Sequence, residues 1–205
     1  MRSWTKDSRV LVRPRFLDGF ARLAERNLAF EAWVYSHDLP DVAELARRYP
    51  EVTIVLDHLG MPAGLFGPVG RVTGRTEAER RAIGQAWRDD LAAVAAHPNV
   101  VAKLSGLTLP VLGHRLALPN QSTPADELVE RLAPLLDHAL DVFGPERLMW
   151  GSNAPLAKPV ASVGDNLRAV ATVVGARGQH ALDRVFTQTA ERVYRITAVA
   201  HPSTD

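Results

Sequence analysis

Residues 52–60 read VTIVLDHLG, and the rest of the chain is organised around this stretch. Its first five residues are nearly all apolar and β-branched, a composition typical of a strand that is buried on both faces. The run breaks at Asp57 and His58 and then closes with a leucine and a glycine. An apolar strand that ends in an ionisable pair and a glycine is typical of a strand that delivers side chains to a functional site. A strand end that merely reaches solvent would have the same pattern.

The composition of the chain is that of a globular protein and excludes several classes of function. A chain of 205 residues is long enough for one domain with a substantial core, and 46% hydrophobic residues are ordinary for a globular protein. The net charge of +1 favours neither a nucleic-acid partner nor an anionic membrane. The absence of cysteine excludes disulfides, thiolate metal ligands and cysteine nucleophiles. No apolar run approaches the roughly 20 residues of a membrane span. We therefore expect a soluble, cytoplasmic protein with one domain over residues 1–205 and flexible ends at 1–13 and 197–205.

Strand and helix patterns alternate along the whole chain. Short strands are predicted at residues 28–35, 52–56, 100–104 and 147–150, with a weaker candidate at 9–13. Helices are predicted at residues 14–27, 40–49, 76–96, 123–143, 163–174 and 180–194. Thr123 and Asp126 have the spacing of a capping box at the start of the fourth helix. Alternation of this kind predicts parallel strands joined by crossover helices.

The loops differ between the two ends of the predicted strands. Helix-to-strand connections are short, whereas two strand-to-helix loops, at residues 61–75 and 105–121, are long and rich in glycine, proline and polar residues. Ligands of α/β folds bind at the carboxyl ends of the strands. The loop lengths therefore indicate that the functional face lies at those ends.

Eight polar residues come together on this face if the four strands are parallel. A histidine among acidic, amide and lysine neighbours can transfer protons or bind a metal. A lysine inside a strand is costly to bury unless it is paired or used, so we expect Lys103 to be ion-paired or functional. His37 fits a surface position better than a catalytic one, and Asn153, on spacing alone, fits a turn residue. The residues that the predicted topology gathers are Tyr35, His37, Asp57, His58, Lys103, Ser105, Ser152 and Asn153.

Several catalytic motifs do not occur in the sequence. The glycines at residues 60–74 match neither GxGxxG nor a phosphate-binding loop with its lysine. There is no His-x-His pair or HExxH, so ordinary spacing supplies no metal site, and no GxSxG elbow is present. From these residues we expect no bound metal and no other cofactor.

Four segments together resemble one family, the amidohydrolase-related TIM-barrel hydrolases. The similarity is to the second half of these proteins, and within the family it is nearest to the lactonases that act on sugar lactones and pyrone dicarboxylate. It covers most of residues 14–196 in the family's order. The four segments are FEAWVYSHDLPDVAELARRYPEVTIVLDHLGMP, AAHPNVVAKLSGL, FGPERLMWGSNAP and FTQTAERVYRI.

The resemblance implies a fold and a set of roles. It implies the carboxyl-terminal half of a (β/α)8 barrel, about four βα units, with the active site at the carboxyl ends of the strands. His58 would be a catalytic histidine that binds substrate or, in metal-using members, a divalent metal such as zinc. Asn153 stands where the family usually has an aspartate that serves as general base. An asparagine can orient a water or a carbonyl but cannot accept the proton of the water at neutral pH. The substrate contacts would come from Tyr35, His37, Lys103 and Ser105.

The sequence departs from the family by lacking its first half, which begins with a strand that carries a His-x-His pair. Three explanations compete: a truncated gene, a half-barrel that pairs with a second chain, and a remodelled small α/β protein. Among these we favour truncation. The function that we expect is hydrolysis of a lactone or similar cyclic ester, with a small molecule as substrate. The alternative is a non-catalytic remnant, or a half-barrel subunit that needs a complementing chain or a second copy of itself, because edge strands that are left unpaired favour association.

Overall fold

A computed structural model describes residues 9–196 as four parallel strands with helices between them. The strands form a single sheet in which each strand pairs with the one that follows it in sequence. The predicted α/β class with parallel strands is therefore confirmed. Within residues 9–196 the sheet is open rather than closed into a barrel, because the first and last strands each pair on one side only. The strands are β1 Phe30–Ala32, β2 Ile54–Leu56, β3 Val100–Leu104 and β4 Leu148–Trp150.

The helices lie close to the predicted positions. The predicted helix at residues 180–194 is divided into two short helices by a π-helical turn, Arg184–Gln188. The helices are α1 Pro14–Ala24, α2 Leu39–Arg48, α3 Glu77–Ala95, α4 Ala125–Phe143, α5 Val163–Gly175, α6 Gln179–Asp183 and α7 Thr189–Tyr194.

Alternation along the strands divides the core between the two faces of the sheet. Most buried apolar side chains belong to one cluster, in which Ile54, Leu56 and Val100 pack with residues of α1 to α5. The opposite face carries a small apolar cluster formed by Val55, Val101 and Met149. Ala190 and Val193 of α7 pack against this second cluster. One helix therefore covers the face that would be the interior of a closed barrel.

Two local predictions were wrong. Residues 9–13 do not form a strand, because Val10–Val12 is a 3₁₀ turn whose Val10 carbonyl accepts a hydrogen bond from the Arg13 amide, and Pro14 begins α1 directly afterwards. The predicted capping box also fails, because the Thr123 hydroxyl donates to the Val160 carbonyl at 2.8 Å instead of capping α4. Flexible ends were expected at residues 1–13 and 197–205. Of these, residues 1–8 and 197–205 lie outside the described part of the chain.

The two long strand-to-helix loops pack on one another above the carboxyl ends of the strands. The Gly64 amide donates to the Val111 carbonyl, and the Phe66 amide donates to the Leu112 carbonyl. The second loop is also held from within by the buried ring of His114. Long loops that are tied together in this way give the functional face a defined shape. No helix within residues 9–196 is long and apolar enough to cross a membrane.

Candidate functional site

The turn that follows β2 has an unusual backbone. His58, Leu59 and Met61 have positive φ angles of 57°, 52° and 20°, and Gly60 between them has a φ of 67°. This region costs a non-glycine residue roughly 1–2 kcal/mol, so it persists only where the surroundings impose it. Trp87 of α3 helps to impose it, because its indole N–H donates to the Leu59 carbonyl at 2.7 Å. The strained turn places His58 at the carboxyl end of the strand, as the sequence predicted.

His58 is buried and held by Ser105, the first residue after β3. The two residues are 9% and 5% exposed, and Nδ1 of His58 lies 2.7 Å from the Ser105 hydroxyl oxygen. Gly106 lies against the ring with a φ of 63°, where an added Cβ would be 2.5 Å from Cγ of His58. Within the described residues the other ring nitrogen, Nε2, has no hydrogen-bond partner. Nε2 is therefore the atom that this arrangement leaves for a ligand.

The charge state of His58 follows from its surroundings. Burial lowers the pKa of His58, and the ammonium of Lys103 acts in the same direction. The neighbouring carboxylate of Asp57 opposes the shift but does not reverse it. The imidazole is therefore neutral at pH 7, which suits a group that donates or accepts one hydrogen bond rather than a fixed positive charge.

Lys103 of β3 lies at the centre of an ionic cluster. Its ammonium is 2.9 Å from a carboxylate oxygen of Glu31 and 3.0 Å from one of Asp57. The Tyr194 hydroxyl donates to the other oxygen of Glu31 at 2.6 Å, and the Tyr194 ring centre is 5.5 Å from the ammonium. The expectation that Lys103 is ion-paired is confirmed. One side chain thus ties together β1, the end of β2, β3 and α7.

The cluster keeps Lys103 charged. Burial alone would lower the pKa of Lys103, but its contacts with Tyr194, Glu31 and Asp57 raise that pKa overall. Burial likewise opposes the shift of Glu31, whose pKa is nevertheless lowered by the hydrogen bonds from Tyr194 and Lys103. Two carboxylates therefore surround one ammonium, and the cluster carries one net negative charge.

Asn153 follows β4 and adopts a left-handed conformation with a φ of 49°. Asparagine tolerates this conformation better than most residues, which agrees with its prediction as a turn residue. Its amide nitrogen Nδ2 is buried and has no hydrogen-bond partner within residues 9–196. A buried donor without an acceptor is costly, so this amide has a reason to bind a ligand or a water molecule. Its catalytic role stays a prediction.

Tyr35 and His37 lie elsewhere on the functional face. Their rings stack with 5.9 Å between centres and 9° between planes. With Ser36 they line a cavity of about 480 Å³, which we call the α3 cavity because one face of α3 forms its opposite wall. None of the side chains of His58, Lys103 and Ser105 lines this cavity. Contact of Tyr35 and His37 with the substrate stays a prediction.

Two residues of the ionic cluster, Glu31 and Tyr194, were not among the residues predicted for the functional face. Glu31 interrupts an apolar strand in the same way as Lys103, and this signal could have identified it. Asp57 was predicted to lie on this face, but no role was predicted for it. Tyr194 gave no signal, because it is 163 residues from its partner Glu31 and its helix pattern is that of an ordinary amphipathic segment.

Solved structures of amidohydrolases share the fold. An amidohydrolase from Burkholderia multivorans, determined with bound zinc, is 30% identical with a TM-score of 0.73, over 91% of this chain and 59% of that chain. A protein from Pseudomonas putida that was assigned as a 2-pyrone-4,6-dicarboxylic acid hydrolase is 21% identical with a TM-score of 0.66, over 92% of this chain and 59% of that chain. The second likeness concerns the fold alone.

The zinc of the Burkholderia structure prompts a test of the donor set in this chain. Within residues 9–196 no three histidine, aspartate or glutamate side chains come together in a way that could hold a metal ion. Nδ1 of His58 forms a hydrogen bond with Ser105, and the carboxylates of Asp57 and Glu31 pair with the ammonium of Lys103. The side chains within residues 9–196 therefore do not form a metal centre by themselves.

Sequence comparisons identify the family. The L-fucono-1,5-lactonase of Burkholderia ambifaria is 35% identical over 139 residues, which are 68% of this chain and 39% of that protein. The chain thus spans less than half of this curated relative. The family model described as Amidohydrolase matches residues 6–196, nearly the whole chain. The protein is therefore a member of the amidohydrolase family.

Proposed function

We propose that this protein hydrolyses a lactone or similar cyclic ester, with His58 in contact with the substrate carbonyl. One observation carries the proposal. A strained turn presents a buried, neutral imidazole whose Nδ1 is fixed by Ser105 and whose Nε2 has no partner among the described residues. The lactonase name of a relative that is 35% identical supports the same reaction class.

His58 would act as a hydrogen-bond donor in this reaction. If Nδ1 accepts the Ser105 hydroxyl proton, Nε2 carries a hydrogen and can donate it to the lactone carbonyl oxygen. Water then adds to the carbonyl carbon, and the ring C–O bond breaks. The hydroxyl of water stays on the carbon as part of the new carboxyl group, and its proton ends on the released ring oxygen. A donor that is aligned before the reaction stabilises the negative charge that develops on the carbonyl oxygen.

Asn153 would orient the attacking water or the substrate through its buried amide. It cannot take up the proton of the water, because a carboxamide is not basic at neutral pH. This chain therefore lacks, at that position, the base that an aspartate would supply. We therefore expect slow turnover. The rate increase over the uncatalysed reaction would come from positioning of the water and polarisation of the carbonyl.

The charges of the site favour an uncharged lactone. The one ammonium in the cluster already faces two carboxylates, and the cluster is negative overall. Carboxylate-bearing substrates are bound by cationic side chains that are available to pair with them. A neutral polyhydroxy lactone needs only hydrogen-bond donors and acceptors, which Ser105, Asn153 and Tyr194 provide.

A hydrolysis panel tests the proposal. Purified protein is assayed with neutral sugar lactones and with pyrone dicarboxylate, as wild type, as His58→Ala and as His180→Ala. His180 is an exposed histidine and serves as the matched control. We expect neutral lactones to be hydrolysed by wild type and by His180→Ala. Turnover should fall about 100-fold or more in His58→Ala, in keeping with the loss of a single donor to the developing oxyanion. Equal rates for the wild type and His58→Ala would remove His58 from the reaction.

A second candidate function is that of a half-barrel subunit that requires a complementing chain. The observation that favours it is the open sheet, in which β1 and β4 each keep one edge unpaired within the described residues. Exposed strand edges favour pairing with another chain. The exposed Trp33, which directly follows β1, adds apolar surface beside one of these edges.

Complementation tests this second candidate. The protein is mixed with the part of the Burkholderia ambifaria lactonase that precedes the matching region, and mass and lactone turnover are measured together. Formation of a one-to-one complex with raised turnover would support a subunit role. An unchanged mass and unchanged turnover would contradict it, and the hydrolysis panel on the chain alone would then decide the first candidate by itself.

A further inference from the structure

The α3 cavity has the dimensions of a small-molecule site and lies apart from the His58 cluster. Its volume of about 480 Å³ falls within the range of roughly 300–1,000 Å³ that is typical of ligand pockets. Its walls are largely apolar or aromatic and include Tyr35, Val72, Ile83 and Trp87. A cavity of this size with apolar walls can hold a ligand with an organic body.

One face of α3 forms the long wall of this cavity. Glu79, Ile83, Trp87 and Asp90 all line it, at spacings of three and four residues that lie on one side of a helix. Eleven residues of helix place Glu79 and Asp90 about 16 Å apart along the axis. The cavity is therefore an elongated groove with a carboxylate near each end.

Acidic residues predominate among the ionisable residues of the lining. Glu79, Asp90 and His37 line the cavity, and within residues 9–196 no lysine or arginine does. Glu79 is already engaged at the start of α3, where a carboxylate oxygen accepts the Arg75 amide at 2.9 Å. Asp90 is half-buried and has no hydrogen bond or ion pair within residues 9–196. Burial, and after it the adjacent Asp89, raise the pKa of Asp90.

We propose that the α3 cavity binds a small organic ammonium ion, with its charge against Asp90 and its body against the apolar walls. Charge complementarity commits the site to a cation, because an anion would meet two carboxylates and a neutral ligand would leave Asp90 unpaired. The apolar walls favour an amine with an aromatic or aliphatic body over a bare metal ion. This inference does not depend on lactone hydrolysis.

Titration with benzylammonium tests the proposal, and benzyl alcohol is the uncharged control of similar shape. Binding is measured by calorimetry and by amide chemical shifts of residues around the cavity. For so small a ligand we expect a dissociation constant of around 1 mM for the ammonium ion and at least about tenfold weaker binding of the alcohol. Absence of benzylammonium binding, or equal binding of the alcohol, would overturn the proposal.

Paired variants locate the site. Asp90→Asn removes the unpaired carboxylate, whereas Asp89→Asn makes the same change at the exposed neighbouring residue, which pairs with Gln85. We expect Asp90→Asn to weaken benzylammonium binding about tenfold or more and Asp89→Asn to change it less than about twofold. A third variant, Ala86→Trp, keeps both charges but fills the groove, and it should also abolish binding. Equal effects of the two asparagine variants, or undiminished binding to Ala86→Trp, would contradict a site in this cavity.

Discussion

At the scale of single residues, the site depends on how closely its side chains are held. Gly106 lies against the His58 ring with no space for a side chain, and Ser105 forms a hydrogen bond with Nδ1 of the same ring. His58 itself adopts a left-handed conformation that few histidines use. The backbone and the neighbouring residues therefore determine the orientation of the His58 ring together.

We predict that Gly106→Ala destabilises the protein by about 3 kcal/mol and displaces His58, because overpacking adds to the cost of a positive φ. Gly70→Ala is the matched control. Gly70 has a similar φ of 58° but open space around it, so we expect a loss of only about 1 kcal/mol. Urea unfolding gives both values. Equal losses for the two variants would show that contact with the His58 ring does not matter.

His114 illustrates how a buried histidine can serve structure alone. Its Nε2 is 2.6 Å from the Leu107 carbonyl oxygen, and its Nδ1 is 3.1 Å from the Arg131 guanidinium. Burial, assisted by the charge of Arg131, lowers the pKa of His114 to about 4 from the ordinary 6.5. The neutral ring therefore fastens the second long loop to α4.

This shift predicts a pH-dependent stability. The folded state keeps His114 neutral, whereas the unfolded chain takes up a proton below pH 6.5, so the stabilisation is complete above that pH and is lost as the pH falls towards 4. The loss is roughly 3 kcal/mol at most. His58, whose pKa is lowered as well, acts in the same direction. Denaturation at several pH values should show a shallower acid decline for His114→Gln than for wild type, and parallel profiles would contradict the assignment.

At the scale of elements, Lys103 joins three strands and the last helix. Its contacts with Glu31 and Asp57 cross β3 to β1 and to the end of β2, and Tyr194 brings in α7. Helix α7 also covers the small apolar cluster on the same face of the sheet. We therefore expect that a change that disrupts the ionic cluster also weakens the packing of α7 against the sheet.

We predict that Lys103→Met destabilises the protein by about 2 kcal/mol, because it leaves the largely buried Asp57 without its cation. Tyr194→Phe removes one hydrogen bond to a partly exposed carboxylate and should cost only about 1 kcal/mol. The double variant Asp57→Asn/Lys103→Met should recover part of the loss, since the unpaired charge is then gone. A double variant as unstable as the sum of its single changes would show that the pair is not coupled.

At the scale of the whole molecule, hydrophobic patterning was sufficient to predict the sheet. Buried strands such as residues 52–56 are apolar on both faces, and this composition together with the intervening helices implied parallel pairing. Strand length was harder to predict. The predicted strand at residues 28–35 pairs only over Phe30–Ala32, because strand ends depend on the neighbouring strand rather than on local composition.

Site residues that lie at or next to strand ends could be predicted from the sequence. Site residues on other elements could not. His58, Ser105 and Lys103 lie at or next to strand ends, so the topology brought them together in advance. Tyr194 could not be placed, because α7 packs against the Val55, Val101 and Met149 cluster through tertiary contacts that no local pattern predicts. The left-handed turn at His58 could not be predicted from the local sequence either. It is stabilised by a tertiary contact, the hydrogen bond from Trp87 to the Leu59 carbonyl, and not by residue preference.

We propose that the turn after β2 presents a neutral His58 to a lactone. Nitrogen NMR of the histidine rings tests it most directly, with the His58 signals assigned by their loss in His58→Ala. The ring should be neutral at pH 7 with a pKa below 6.5, and a non-hydrolysable sugar lactam should shift its Nε2 resonance. A His58 ring that is protonated at pH 7, or one whose resonances do not respond to saturating lactam, would contradict the account.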